Sequence, residues 1–276
     1  MIEAIGLPFF RTALAASVVL AGIHAYLGFH VVRRGVIFVD LALAQMAALG
    51  VAVGVVLHLE ENAIASYLLA VATTMVGALC FAWLRRRHRQ IPLEAFIGIV
   101  FATAQAAVFL VLEKSPAGPE HLKETLVGSL FTIAPDKVLK TAILYAAIGA
   151  IHFLLRRPFL EITNDPRRAE ERGRNMFAWD FLFYALFGIV VTSSVQIAGV
   201  LLVFGLLVIP AVAGLMTTDR PGAALMIGWI FGFLACLAGL TASIRFDTPA
   251  APAILAFLTL FLILLSVGLR LRGAAA

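Results

Sequence analysis

The sequence predicts an all-α membrane protein, a polytopic transmembrane helical bundle of about eight to nine spans, and three observations lead to that class. Of 276 residues, 62% are hydrophobic and only 13% charged, whereas a soluble domain is about half apolar and about a quarter charged. The mean hydropathy is +1.01. Apolar runs of roughly 20 residues, each long enough to cross about 30 Å of hydrocarbon as a helix, recur from end to end. Residues 1–276 are therefore expected to form a single transmembrane domain, with no soluble domain beside it.

Taken in order, runs bounded by charge, Gly or Pro place helices near residues 8–32, 36–57, 64–84, 95–112, 138–155, 177–194, 197–216, 222–242 and 252–269. The stretch from Trp179 to Leu215 is too long for one span, and its polar interval Thr192-Ser193-Ser194-Val195-Gln196 predicts two helices joined by a tight turn there. Eight spans remain open, because 113–137 has room for a re-entrant piece. Met1 to Phe10 lack a basic n-region and a small-residue cleavage site, so the first apolar segment is expected to stay in the mature protein. Cys80 and Cys236 fall in apolar runs without a C-x-x-C spacing and read as small packing residues.

Basic residues flanking a span are retained on the cytoplasmic side. Alternate connections collect 15 of the 21 Lys and Arg: Arg33 and Arg34; Arg85, Arg86, Arg87 and Arg89; Arg156, Arg157, Arg167, Arg168, Arg172 and Arg174; Arg220; Arg270 and Arg272. The opposite set holds only Arg11, Lys114, Lys123, Lys137, Lys140 and Arg245. The N-terminus is thus expected outside and the C-terminus in the cytoplasm. A net charge of +5 then belongs to an inner rim facing anionic lipid, and no nucleic-acid module is visible.

Two connections are long enough to do more than turn the chain. The outer one, 113–137, holds Pro116, Gly118, Pro119 and Pro135, with an amphipathic piece near His121 to Phe131; the connection suits an external gate, a docking surface or an amphipathic helix resting at the interface. The inner one, 156–175, reads RRPFLEITNDPRRAEERGRN, with a cap at Asn164 or Asp165, Pro166 at the first helical position and Gly173 as terminator. That pattern predicts a short charged helix on the cytoplasmic side; a solvated charged loop is the alternative.

Five segments, in order, resemble the ABC-3 family, the membrane subunits of ABC transporters that import zinc, manganese or iron. They are Arg33-Arg34-Gly35 with FVDLALAQMAALGVAVG (38–54), ETLVGSLFTIAP (124–135) with its Gly-Ser-Leu core, the D-P-x-x-A-x-x-x-G spacing of Asp165, Pro166, Ala169 and Gly173, QIAGVLLVFGLLVIPAVA (196–213), and the Pro-containing segment 247–253. The resemblance implies a type II ABC importer-like permease, a homodimer in the inner membrane. It also implies a cytoplasmic ABC ATPase seated on Asp165, Pro166, Ala169 and Gly173, and an extracellular or periplasmic solute-binding protein that delivers the metal. The chain itself would be no enzyme and would hold no permanent cofactor; no G-x-x-x-x-G-K-[ST] loop is present.

Charges deep in a span cost roughly 2.5 kcal/mol or more, which makes Asp40 a functional candidate by default. In the family an Asp and a His four residues apart in this segment are associated with the metal pathway. Here Ala44 stands four residues after Asp40, and the other register puts Gln45 at the His position and Leu41 at the Asp position. Asp40 is read either as a pathway residue and metal contact or as a structural carboxylate paired with Arg33 or Arg34. Gln45 is a further pathway candidate, and Gln105 and Gln196 are read either as lining the pathway or as hydrogen-bonding another helix. His24 and His30, six residues apart, do not share a helix face. His58 with Glu60 and Glu61, and His121 with Glu120 and Glu124, are expected at outer rims, read either as solvated or as attracting cations; His88 and His152 are expected at the inner interface. The missing His leaves a second reading, a permease for a metal chelate or small organic solute, and Asp40 leaves a third, an ion-coupled secondary transporter.

Overall fold

The computed structural model of the chain describes residues 6–59, 62–87, 91–113 and 125–274. Glu60, Glu61, His88, Arg89, Lys114, Glu120, His121, Lys123 and Glu124 lie outside the described residues, as do the side chains of Arg86, Arg87 and Arg272.

All described elements are helical. They are α1 (Pro8–Arg34), α2 (Val39–Val56), α3 (Ala63–Arg87), α4 (Leu93–Leu112), a 3-10 turn (Leu130–Thr132), α5 (Pro135–Leu154), α6 (Arg156–Asn164), α7 (Pro166–Glu171), α8 (Met176–Thr217), α9 (Pro221–Phe246) and α10 (Ala250–Ala274). Among the described residues, eight helices are long and apolar enough to cross a membrane. The chain is thus a multi-pass membrane protein.

At 42 residues, α8 would run about 63 Å, twice the hydrocarbon thickness. The chain resolves this at Gly199, whose φ of 73° and ψ of 160° interrupt the helix. The break therefore falls three residues beyond the expected Thr192–Gln196 interval. Those hydroxyls do not open the helix because they bond back onto it: Thr192 donates to the Gly188 carbonyl at 2.8 Å and Ser194 to that of Val190 at 2.7 Å. A hydroxyl satisfied one turn back leaves the helical ladder standing.

The helices group into two compact units. The first comprises Met1–Val32, Leu126–Ala147 and Ile197–Ala276; the second comprises Arg33–Thr125 and Ile148–Gln196.

In the first unit α9 packs along α10, with Gly239 directly against the Ile254 backbone, and the 3-10 turn rests on α10. The Trp229 indole N–H donates to the Gly22 carbonyl at 2.8 Å, fastening α9 to α1. A β-carbon on Gly205 would meet the Leu255 side chain, and one on Gly214 the Ala224 backbone. Close helix packing accounts for both.

The Gly-Ser-Leu core of the 124–135 segment acquires a physical explanation in this unit. The Ser129 N–H donates to the Ile197 carbonyl at 3.1 Å, supplying a partner at the α8 break. Gly128, with φ of 70°, lies so near Ala198 and Gly199 that a β-carbon on it would overlap their backbone. Leu130 is buried.

In the second unit α2 packs along both α3 and α4. Ala48, Ala52 and Val55 form a core with Val108 and Leu112. Small residues at helical spacing allow that approach: Gly50 touches the α3 backbone at Leu69 and Ala70, and the Thr73 hydroxyl bonds the Met46 carbonyl at 2.7 Å. Thr74 and Thr192 share a hydroxyl–hydroxyl bond of 3.1 Å, joining α3 to α8. The Glu94 carboxylate accepts from the Ile37 N–H at 2.9 Å and holds the turn before α2.

Candidate functional site

The D-P-x-x-A-x-x-x-G spacing is the code for one short helix with both ends closed. Asp165 ends α6 and begins α7; its carboxylate accepts from the Arg168 N–H at 3.0 Å, one of the donors every helix start leaves unpaired. Pro166 occupies the first turn, where its missing N–H costs nothing and its fixed φ suits a helix. Ala169 is fully buried, so any larger side chain there would lift the helix off its support. Gly173, at φ of 78°, ends the helix in a Schellman pattern: its N–H bonds the Glu170 carbonyl at 2.9 Å and the Arg174 N–H bonds that of Ala169 at 3.1 Å.

Sequence reasoning missed α6, whose buried face is Phe159, Ile162 and Thr163. Its spacing is helical, but Pro158 and the paired arginines read as loop. Glu161 on α6 then clasps the chain leaving α7, accepting from Arg172 at 2.6 Å and Arg174 at 3.3 Å. Segment 156–175 is consequently a folded unit and not a solvated charged loop, with Arg167, Arg168, Glu170 and Glu171 exposed on α7.

The Arg172 hydrogen bond, with the Arg174 bond and both arginine charges adding to it, holds the Glu161 carboxyl below the usual glutamate range. A carboxyl depressed in the folded state contributes stability above its unfolded pKa and loses it as pH falls through the folded value. The clasp is therefore intact at neutral pH and opens only on acidification below the ordinary glutamate range. Glu161→Gln should reproduce the open state at pH 7. Trypsin should then cut after Arg172 and Arg174 several-fold faster than in the parent protein, and an unchanged rate would show that the clasp does not order the loop.

Arg33, Arg34, Arg85 and Asp180 form a second cluster, which sequence reasoning did not assemble. Asp180 in the first turns of α8, 2% exposed, accepts at one oxygen from Arg34 at 3.1 Å and from Arg85 at 2.8 Å. The Arg34 guanidinium lies 4.0 Å from the Phe183 ring centroid, in cation–π range. Arg34 Nε also donates to the Thr163 hydroxyl at 3.0 Å, and Arg33 donates to the Asn164 side chain at 2.9 Å.

Asp40 is the second residue of α2, whereas the expected helix from 36 to 57 would make it the fifth, so it lies in the first turn, where the helix dipole favours a carboxylate. It is fully buried, and neither oxygen has a hydrogen-bond partner among the described residues. The pairing with Arg33 or Arg34 is absent: those two reach Asn164, Thr163 and Asp180 instead. Gln45 is buried on the same helix and Gln196 is exposed on α8. No hydrogen bond joins these three among the described residues. Nor do the described residues contain a cluster of three or more His, Cys, Asp or Glu able to hold a metal ion.

Among the described residues, His24, His30 and His152 pack against aromatic rings. His24 bonds the Leu20 carbonyl at 2.8 Å and meets Tyr145 edge-on. His30 lies against Tyr26 and Phe29. His152 is buried, not interfacial as expected, stacked on Phe159 with ring centroids 4.5 Å apart. His58 lies in the turn after α2 at a positive φ of 55°.

Long apolar helices thus carry a capped charged segment and a buried carboxylate without a hydrogen-bond partner among the described residues. The model of the ABC 3 transport family matches residues 6–268. The chain belongs to the ABC 3 transport family. Among relatives of this ABC 3 chain is the high-affinity zinc uptake system membrane protein ZnuB of Haemophilus influenzae, 28% identical, covering 94% of this chain and 97% of the relative. The manganese transport system membrane protein MntC of Halalkalibacterium halodurans is 23% identical over 89% of this chain and 82% of its own. Among solved structures, PsaBC from Streptococcus pneumoniae in complex with Fab shares the fold with a TM-score of 0.80 at 19% identity, covering 96% of this chain and 93% of that one. As an ABC 3 member the chain is a membrane transport component and not an enzyme.

Proposed function

We propose that the chain is the membrane-spanning permease of an ABC importer that carries a divalent metal ion, zinc, manganese or iron, across the inner membrane with ATP hydrolysed by a cytoplasmic partner. It works as a homodimer, receives its cargo from a solute-binding protein outside, and forms one permease domain with its N-terminus outside and C-terminus inside. The observation that carries this reading is α7: a rigid, doubly capped helix with an exposed charged face, held on a folded segment among arginines that favour the cytoplasmic side. Asp165, Pro166, Ala169 and Gly173 give the ATPase something stiff to push against.

Asp40 is the proposed metal contact on the pathway. A buried carboxylate whose two oxygens lack partners is compensated when a cation passes. Gln45 and Gln196 would offer amide oxygens along the same route. Gln45 also favours a second reading: a neutral amide at the expected His position is a poor zinc ligand, which suits a cargo that arrives already coordinated, such as a metal chelate.

Uptake into liposomes holding the permease, its ATPase and its binding protein separates the two when measured for zinc, manganese, iron and a chelated metal. ATP-dependent uptake of a free ion is expected, and Asp40→Asn should strongly lower its initial rate. Uptake of the chelate alone would establish the second reading. Unchanged uptake in the Asn variant would remove Asp40 from the pathway.

A further inference from the structure

We infer that Arg34 is a positioning residue, the joint through which movement of the 156–175 segment reaches the membrane helices. The inference rests on the transport reading above and names the part that would make such coupling mechanical.

Three features of one guanidinium support it. Its Nε and one terminal nitrogen serve different elements: Nε holds Thr163 at the end of α6, and the terminal nitrogen holds Asp180 at the start of α8. Thr163 stands two residues before Asp165, the cap common to α6 and α7. Finally, the joint is buried, with the Arg34 side chain 1% exposed, and lies against Phe183. A planar fork holds two partners in fixed relative directions, which an ammonium on a flexible stem does not do. Arg85 binds the same Asp180 oxygen and brings α3 into the joint, and Arg33 makes a parallel bond to Asn164.

The segment is itself stiff, through the Asp165 cap, the Gly173 closure and the Glu161 clasp. A load applied to α7 is therefore delivered at its attachment, and Thr163–Arg34–Asp180 leads from there to the first turns of α8. An ion pair serving stability alone would not need the Thr163 arm.

The test uses the complete transporter with its ATPase and binding protein. Arg34→Lys keeps a cation opposite Asp180 but loses the Nε donor to Thr163; Thr163→Val removes the same bond from the other side. Each is expected to lower metal carried per ATP hydrolysed by about tenfold while hydrolysis itself persists, and the double variant should fall no further, because one bond can be lost only once. A ratio unchanged in both single variants overturns the inference. So does a proportional fall of transport and hydrolysis together, which marks mere loss of folded protein. Amide exchange gives a second readout that needs no cargo: ATPase binding should slow exchange in residues 176–183 of the parent protein and not in either variant. If the parent carries no metal, the cargo reading fails while this difference still supports the joint. Equal slowing in all three proteins overturns the joint and leaves the cargo reading standing. An ATPase that does not bind the parent protein overturns both.

Discussion

Gly199→Ala is expected to cost most of the folded protein. At φ 73° and ψ 160° the residue occupies a region open essentially only to glycine, worth about 1–3 kcal/mol of strain for any other residue. A β-carbon would also lie 2.5 Å from the Leu126 carbonyl oxygen and 2.6 Å from the Gly128 nitrogen. Both are backbone atoms, so relief requires the 126–128 chain to retreat, adding about 1–3 kcal/mol of overpacking. Together these approach the whole stability of a marginal fold, about 5–15 kcal/mol. Gly128→Ala meets the same obstruction from the opposite side. Yield of monodisperse protein in detergent and its thermal midpoint measure the effect. Gly149→Ala in α5, with nothing near its added carbon, should change neither by much; comparable loss at Gly149 would mean that the contact at the break is not the cause.

Asp180→Leu should be the next most damaging substitution. It strips the counter-charge from Arg34, whose side chain is 1% exposed, and removing one partner of a buried pair costs about 3–5 kcal/mol. Arg85 suffers less, since it is 21% exposed and retains a route to water. Removing the second charge as well should repair the damage, because an apolar pair of similar volume is often as stable as the ions it replaces. Arg34→Met with Asp180→Leu is therefore expected to unfold near the parent's midpoint, while lacking the bonds that tie α6 to α8. A protein that is stable yet poorly coupled separates the two jobs of Arg34. A double variant as unstable as Asp180→Leu alone would show that Asp180 acts through packing and not through charge.

Much of the fold was legible because hydrocarbon permits few backbone arrangements: a long apolar run must be a helix. The ends of the 165–173 helix were legible for a related reason, since Asp, Pro and Gly each solve a local backbone problem. The α8 break was misplaced because Thr192, Ser193 and Ser194 look polar in a list of letters, while in the helix their hydroxyls turn inward onto the preceding turn. Gly199, which does break the helix, is one glycine among several. Asp40 was recognised as costly, yet nothing local showed that Arg33 and Arg34 have other partners. Those partners, Asn164, Thr163 and Asp180, lie 129 to 146 residues away in sequence, and no spacing rule reaches across that distance. His152 was assigned to the interface from its neighbours on the chain, whereas its surroundings are Phe159 and Phe183.

The Ser129 to Ile197 bond bears on how the protein is made. Ser129 leaves the ribosome long before Ile197, so the notch at Gly199 can receive its glycine counterpart only after the second half of α8 has been synthesised. Until then Gly128 and Ser129 wait for a surface that does not yet exist. Nascent chains that stop short of Ile197 lack this closure altogether, so the 126–130 segment gains its seat only once the second half of α8 is present.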